Sequence, residues 1–116
     1  MKVLLVVVIL FIANFAKADV KVSTCRTFAD MAKDIAILKA KNKTEDEIRN
    51  FIFEKDQELR SEKNPYISKQ YMDSLVEERI EILIWLFDKK NQSLSPSQVY
   101  SKKFDECFKH LKSKGY

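Results

Sequence analysis

The residues of this chain that could take part in chemistry are few, and the two cysteines and the single histidine are the most distinctive. The cysteines are Cys25 and Cys107, and His110 lies three residues after Cys107. Residues three apart are neighbours on a helix, so these three side chains have the composition of a partial zinc site. Such a site would need free thiols and a fourth ligand that the sequence does not identify. The favoured interpretation is a disulfide beside a surface histidine, and no metal or other cofactor is expected.

Clustered carboxylates are the other candidates, because glycosidase-type catalysis uses a pair of acidic groups of which one has a raised pKa. Both clusters are predicted on the outer faces of helices, where a solvated charged surface is the ordinary explanation. The chain has no nucleophile elbow, and its one glycine cannot build a phosphate-binding loop. We therefore predict that the protein is not an enzyme and assign no catalytic residue. The two clusters are Glu45, Asp46 and Glu47, and Glu77, Glu78 and Glu81.

The first 18 residues carry the pattern of a secretory signal peptide. Lys2 supplies a basic start, residues 3–13 form an unbroken apolar run, and Ala16-Lys17-Ala18 fits an A-x-A cleavage site. The run is shorter than the roughly 20 residues that a permanent membrane helix needs, and an uncleaved anchor is the alternative. The predicted organisation is a signal peptide at 1–18 and a single helical domain at 19–116. The domain is expected to be exported, to the periplasm or beyond the cell, and to keep no transmembrane segment after cleavage.

Composition and charge limit the remaining classes. With 33% charged and 46% hydrophobic residues, one Gly and two Pro among 116 residues, the chain does not have the composition of a turn-rich β fold. Without Lys2 and Lys17, the 21 basic residues become 19 against 17 acidic ones, a net charge of +2. This balance does not mark a nucleic-acid binder, and no nucleic-acid partner is expected. One basic face is conceivable, interrupted by Asp105 and Glu106, and it would comprise Lys102, Lys103, Lys109 and Lys112.

Apolar spacing and capping residues predict four helices. The third is the most apolar, and we expect it to be the central helix of the bundle. The second should face inward through Ile48, Phe51, Ile52 and Leu59. The fourth begins with Ser as N-cap, Pro at the first helical position and Gln three residues after the cap. The predicted ranges are about Ser23 or Thr24 to Lys41, Thr44 to about Arg60, about Tyr66 to Asp88, and Ser95 to Gly115.

The two cysteines test this arrangement. Cys25 lies in the first turn of the first predicted helix, and Cys107 lies near the end of the fourth. In an up-down-up-down bundle with short connections those positions meet at one end. A bridge between them would close a loop of about 80 residues and stabilise the fold by about 4–5 kcal/mol in the chain-entropy treatment. The predicted fold is therefore an all-α, four-helix, up-down-up-down bundle with one disulfide.

Several apolar residues fall on otherwise charged helix faces and are candidates for binding a protein partner. Trp85 lies opposite the main apolar stripe of the third helix, and Trp is the residue most often found at interface hot spots. Ile82 and Leu86 lie beside it on the shoulder of that stripe. Phe53 and Ile37 occupy similar positions on the second and first helices. The alternative is that the bundle covers these residues, and for Ile82 and Leu86 burial is the favoured interpretation.

The sequons Asn42-Lys43-Thr44 and Asn91-Gln92-Ser93 lie in two predicted polar connectors. In a eukaryotic source both would be candidate glycosylation sites, whereas in a bacterium or a phage the motif has no such meaning. Short sequons also arise often by chance.

Three segments resemble a known group of proteins: Cys25-Arg-Thr-Phe-Ala29, Leu94-Ser-Pro-Ser97 and Phe104-Asp-Glu-Cys107. In this order they are similar to small exported two-cysteine helical proteins of Gram-negative bacteria and their phages. The sequence departs from the usual pattern in having Lys41-Asn42-Lys43 at a turn that usually contains glycine. It also has Trp85-Leu86-Phe87 where a tyrosine-bearing segment is common. The resemblance implies a periplasmic helical protein without an assigned activity, so it identifies no catalytic residue.

We expect an exported, non-enzymatic protein-binding or inhibitor module that uses a helical face, and self-association is a second use of the same face. By analogy of size and export, phage-encoded proteins of this kind include lysozyme inhibitors that exclude superinfecting phage. One alternative is a periplasmic stress chaperone, for which binding of the dye ANS would rise on acidification or reduction. The other alternative is an enzyme, which would require a deep cleft holding a buried carboxylate or His110.

Overall fold

The structure, a computed structural model, describes the backbone of residues 2–62 and 67–115, and within these ranges the side chains from residue 20 onward. It consists of α1 (Lys2–Ala40), α2 (Glu45–Ser61), α3 (Lys69–Phe87) and α4 (Pro96–Ser113), with a short 3-10 helix (Lys89–Asn91) between α3 and α4. The described residues form no strand. The all-α, four-helix prediction is therefore confirmed.

Capping residues set the starts of α2 and α4 as predicted. The Thr44 hydroxyl accepts a hydrogen bond from the Glu47 amide at 3.2 Å, and the Glu47 carboxylate accepts one from the Thr44 amide at 3.3 Å. Ser95 and Gln98 make the same reciprocal pair at 3.2 and 2.8 Å, with Pro96 at the first helical position. Each pair satisfies amide groups that have no partner inside the helix.

The starts of α1 and α3 differ from the prediction. α1 begins at Lys2 and not near Ser23, because no Gly or Pro interrupts the first 40 residues. α3 begins at Lys69 with Ser68 as its N-cap, and the start predicted near Tyr66 lies outside the described residues. The predicted signal peptide falls on the part of α1 whose side chains are not described, and it stays a prediction. Within the residues whose side chains are described, no helical stretch is long and apolar enough to cross a membrane.

The central helix is α1, and the prediction that α3 occupies this place is wrong. α1 packs against each of the other three helices, whereas the described part of α3 packs closely only against α1, α2 and the short 3-10 helix. Between these elements lies a core of small and aliphatic side chains. One face of α1 carries residues spaced by four, three and four that are almost wholly buried: Cys25, Ala29, Ala32 and Ala36.

The disulfide joins α1 to α4 as predicted. Cys25 and Cys107 are bonded, their Cα atoms lie 5.4 Å apart, and 82 positions separate them in the sequence. Cys25 is completely buried. Because Ala29, Ala32 and Ala36 follow Cys25 on the same face of α1, small side chains line the helix next to the bridge and let the α4 backbone approach closely.

The turn after α1 uses asparagine where many helices end in glycine. Asn42 has φ = 64°, in the left-handed region. Its amide donates to the Lys39 carbonyl at 2.9 Å, and the Lys43 amide donates to the Leu38 carbonyl at 3.2 Å. These two bonds form a Schellman motif, and Asn is one of the few non-glycine residues that accept this conformation.

Candidate partner-binding surface

An open groove lies between α1 and α2, with Arg79 of α3 also in its lining. Its volume is about 700 Å³. α1 and α2 are joined by the tight turn at Asn42 and share only a limited contact, whereas α2 packs more extensively on α3. The apolar part of the lining consists of Met31, Ile35, Leu38, Phe51, Ile52 and Leu59.

Phe51 is the most exposed apolar side chain of the groove. It retains 42% of its accessible surface, although Ile52 beside it is buried in the core. The Lys55 ammonium lies 5.5 Å from the Phe51 ring centroid and 3.4 Å from a carboxylate oxygen of Glu58. The α2 wall therefore presents an aromatic ring bordered by a paired cation. The prediction that Phe51 faces inward is therefore only partly correct, because the ring lines the groove beside the core but stays exposed.

Two of the residues predicted to bind a partner lie in the core. Ile82 and Leu86 each retain 1% of their accessible surface and pack with residues of α1, α2 and α4. In this conformation they form no part of a surface, which agrees with the burial that sequence reasoning favoured for them. They are buried because α3 packs against both α1 and α2, and the two side chains lie in the core between these helices.

Trp85 is half-buried and joins α3 to α4. The Lys103 ammonium lies 4.0 Å from the Trp85 ring centroid and 3.0 Å from a Glu106 carboxylate oxygen. Lys103 retains only 8% of its accessible surface, so it does not belong to the conceivable basic face of α4. A cation over the face of an indole ring is a favourable contact, stronger when water is excluded. Trp85 thus has a structural role at this junction, and its role in partner binding stays a prediction.

The last two predicted residues remain accessible to different degrees. Phe53 retains 45% of its accessible surface on α2, and Ile37 on α1 is half-buried. Neither lines the groove. Since successive residues of a helix are rotated by about 100°, Phe53 lies about 200° around α2 from Phe51. The structure therefore does not gather the five predicted residues into one patch.

The acidic clusters contain two carboxyl groups with shifted pKa values. The pKa of Glu47 is lowered, chiefly by the hydrogen bond from the Thr44 amide and then by that from its hydroxyl. The pKa of Glu78 is raised, first by partial burial and second by the nearby Glu81 carboxylate. Glu47 acts as a helix cap, and Glu78 lies outside the groove lining, so neither belongs to a cleft with a second carboxylate and a substrate-sized space.

The fold does not bring Cys25, Cys107 and His110 together as free metal ligands. Both thiols are consumed in the disulfide, and His110 is exposed near the end of α4. Within the described residues, no group of three or more His, Cys, Asp or Glu side chains could hold a metal ion.

The two sequons differ in accessibility. Asn42 is exposed in the turn after α1. Asn91 retains 4% of its accessible surface, and its side-chain amide nitrogen donates to the Trp85 carbonyl at 2.8 Å. A glycan on that nitrogen would remove this bond and require space that the folded protein lacks, so only Asn42 is accessible to modification in this fold.

The groove itself was missed from the sequence, although three residues of its α2 wall, Phe51, Ile52 and Leu59, were predicted to face inward. Met31, Ile35 and Leu38 repeat at helical spacing on α1. Residues that another helix covers show the same spacing, so the spacing alone does not reveal an open groove. The angle between α1 and α2 decides between the two outcomes, and no sequence pattern specifies it. Comparisons with known protein families, with curated proteins and with solved structures found no match to the chain.

Proposed function

We propose that this protein is an exported, non-enzymatic protein-binding or inhibitor module that engages its partner through the α1/α2 groove. The observation that carries the proposal is the open apolar lining with Phe51 exposed at its edge. A hydrophobic groove between helices is a recurrent way for a protein to bind an amphipathic segment of another protein. Aromatic residues dominate the energy of such contacts.

Export is supported by the disulfide between Cys25 and Cys107 and by the signal-peptide pattern of residues 1–18. A periplasmic location agrees with both features. A binding role agrees with the mostly apolar lining of the groove, and within the described residues no group of three or more His, Cys, Asp or Glu side chains could hold a metal ion.

Site-specific photo-crosslinking tests this function. The photoreactive residue p-benzoylphenylalanine replaces Phe51 in one variant of the full chain and Phe53 in a matched control, and both are expressed in the native host. The two positions share the residue type, the helix and nearly equal exposure, but they differ in the face of α2. We expect a protein adduct that forms at position 51 and not at position 53.

The adduct is then identified by mass spectrometry, and the two purified proteins are mixed in a calorimeter. Phe51→Ser should weaken their association by about tenfold or more, as expected for an aromatic hot spot. Identical adducts at both positions, or association unaffected by Phe51→Ser, would contradict binding through the groove.

A further inference from the structure

The charge of the groove is opposite to the charge of the chain. The whole sequence has a net charge of +4. The groove lining nevertheless holds four carboxylates and only two cations, Lys55 and Arg79. The carboxylates are Asp30, Asp34, Glu58 and Glu62. A concave surface in which acidic groups outnumber basic ones attracts cationic ligands.

The carboxylates form one pair on each rim of the groove. Asp30 and Asp34 are four residues apart on α1, and Glu58 and Glu62 are four residues apart at the end of α2. Residues at this spacing are neighbours along one side of a helix. Each rim therefore presents a short acidic row that runs parallel to the groove.

These rows are mostly free to meet a ligand. Lys55 neutralises Glu58 in part, with a nitrogen–oxygen distance of 3.4 Å. Among the described residues, Asp30 and Asp34 take part in no ion pair. Both are exposed. The α1 rim thus presents two exposed carboxylates that no ion pair among the described residues neutralises.

The apolar floor between the rows has the dimensions of a helix-binding site. Met31, Ile35 and Leu38 lie at positions i, i+4 and i+7 of α1 and span about 10 Å along its axis. Phe51, Ile52 and Leu59 face them from α2. An amphipathic helix that enters such a groove uses apolar anchors at i, i+3 or i+4, and i+7, which cover the same length.

We infer that the partner presents a cationic amphipathic helix to this groove, an inference that rests on the proposed function. Its apolar stripe would lie on the floor, and the Lys or Arg residues on both sides of the stripe would meet the acidic rows. Charged residues beside the seam of a coiled coil select partners in the same way. A second copy of this chain docking its own groove would bring like charges together, and an anionic lipid surface would be repelled by the same carboxylates.

Two synthetic peptides of about 18 residues, or five helical turns, test this inference. One carries leucines at i, i+4 and i+7 flanked by lysines, and the other carries the same leucines flanked by glutamates. Binding of each labelled peptide to the purified, disulfide-bonded protein is measured by fluorescence anisotropy. We expect the cationic peptide to bind at least about tenfold more tightly than the acidic one, and its affinity to fall as salt is raised.

Matched variants locate the site. Phe51→Ser should weaken binding of the cationic peptide by about tenfold or more, whereas Phe53→Ser should leave it unchanged. Replacing Asp30 and Asp34 by Asn should weaken it by about three- to tenfold and flatten its salt dependence. Replacing the exposed carboxylates Glu77 and Asp105 by their amides, outside the groove, is the control for net charge. Circular dichroism establishes that each variant is folded.

Several results would overturn the inference. They are equal affinity for the two peptides, binding insensitive to Phe51→Ser, comparable binding to anionic phosphatidylglycerol vesicles, or a concentration-dependent dimer that Phe51→Ser abolishes. A protein that crosslinks at position 51 through an acidic or non-helical segment would overturn this inference but leave the proposed function standing. Tight peptide binding with no adduct specific to position 51 in cells would contradict the proposed function instead.

Discussion

The two sides of α1 differ in how they meet their neighbours. Towards α4, α1 presents a cysteine and alanines, and the helices approach until two Cα atoms are 5.4 Å apart. Towards α2, α1 presents Met31, Ile35 and Leu38 below a rim of aspartates, and a groove of about 700 Å³ remains. Small side chains permit close packing of helices, whereas larger ones hold neighbours apart. One helix thus builds both a closed interface and an open one.

The largest expected effect on stability comes from removing the disulfide that joins α1 to α4. Replacing both Cys25 and Cys107 by Ala should lower the free energy of unfolding by about 4–5 kcal/mol, because the bridge closes a long loop. Urea unfolding with and without dithiothreitol measures it. These are the only cysteines of the chain, so the double variant should not respond to the reductant. A loss below about 1 kcal/mol would show that the closed side does not depend on the crosslink.

A smaller effect is expected when a side chain is enlarged on the closed side of α1, compared with the same change on its open side. Ala29→Leu adds volume where the residue is completely buried and should destabilise by about 1–3 kcal/mol. Thr27→Leu adds similar volume on the same helix in the exposed lining of the groove and should change stability by less than about 0.5 kcal/mol. Thermal and urea unfolding of the pair provide the test. Equal effects of the two substitutions would contradict the contrast between a closed and an open side.

The turn that joins the walls of the groove should respond to its backbone conformation. Asn42→Ala places a residue with a Cβ and no compensating amide at φ = 64°, and should destabilise by about 1 kcal/mol. Asn42→Gly removes the steric cost and should stabilise by a few tenths of a kcal/mol. Urea unfolding of the two variants measures both changes in stability. The same sign for both would exclude a left-handed residue at this turn.

The smallest effects are pH-dependent and opposite in sign. Because the folded-state pKa of Glu47 is lowered, its ionised form stabilises the fold at neutral pH, and that contribution disappears as pH falls through the folded pKa. Glu47→Gln should lower the Tm at pH 7 and converge with the wild type in acid. Because the pKa of Glu78 is raised, its ionised form opposes folding above that pKa, and the penalty is relieved as pH falls through it.

Glu78→Gln should therefore raise the Tm at pH 7, with the gain shrinking as pH falls. Calorimetric scans of the wild type and the two variants from neutral pH to about pH 3 give the comparison, since an unperturbed glutamate carboxyl titrates near pH 4 and lies within this range. Parallel curves for all three proteins would contradict both assignments.

Sequence reasoning succeeded where the signal is local. The caps at Thr44 and Ser95, the helical class and the bridge between Cys25 and Cys107 all depend on residue type and spacing. It failed to identify the central helix, because the small residues that place α1 at the centre are not the most apolar ones. Mean apolarity favoured α3, whereas close approach requires side chains such as Ala29.

Even less of the candidate partner-binding surface than of the fold could be predicted from the sequence. Ile82 and Phe53 were both predicted to bind a partner, yet Ile82 is buried and Phe53 is exposed. The sequence suggests that Lys103 is an exposed surface cation, whereas in the fold its ammonium contacts the Trp85 ring and the Glu106 carboxylate. These outcomes depend on which helix lies beside each residue, and a single helical wheel carries no information about neighbours.

Docking of a partner on the open side of α1 can be followed residue by residue, by titrating the cationic peptide into ¹⁵N-labelled protein and recording the backbone amide signals. We expect shifts concentrated at the groove, around Met31, Ile35 and Phe51, with those of Ala29 and Val99 on the closed side unchanged. Shifts concentrated around Trp85 and Phe53, with the groove unaffected, would contradict docking at this groove.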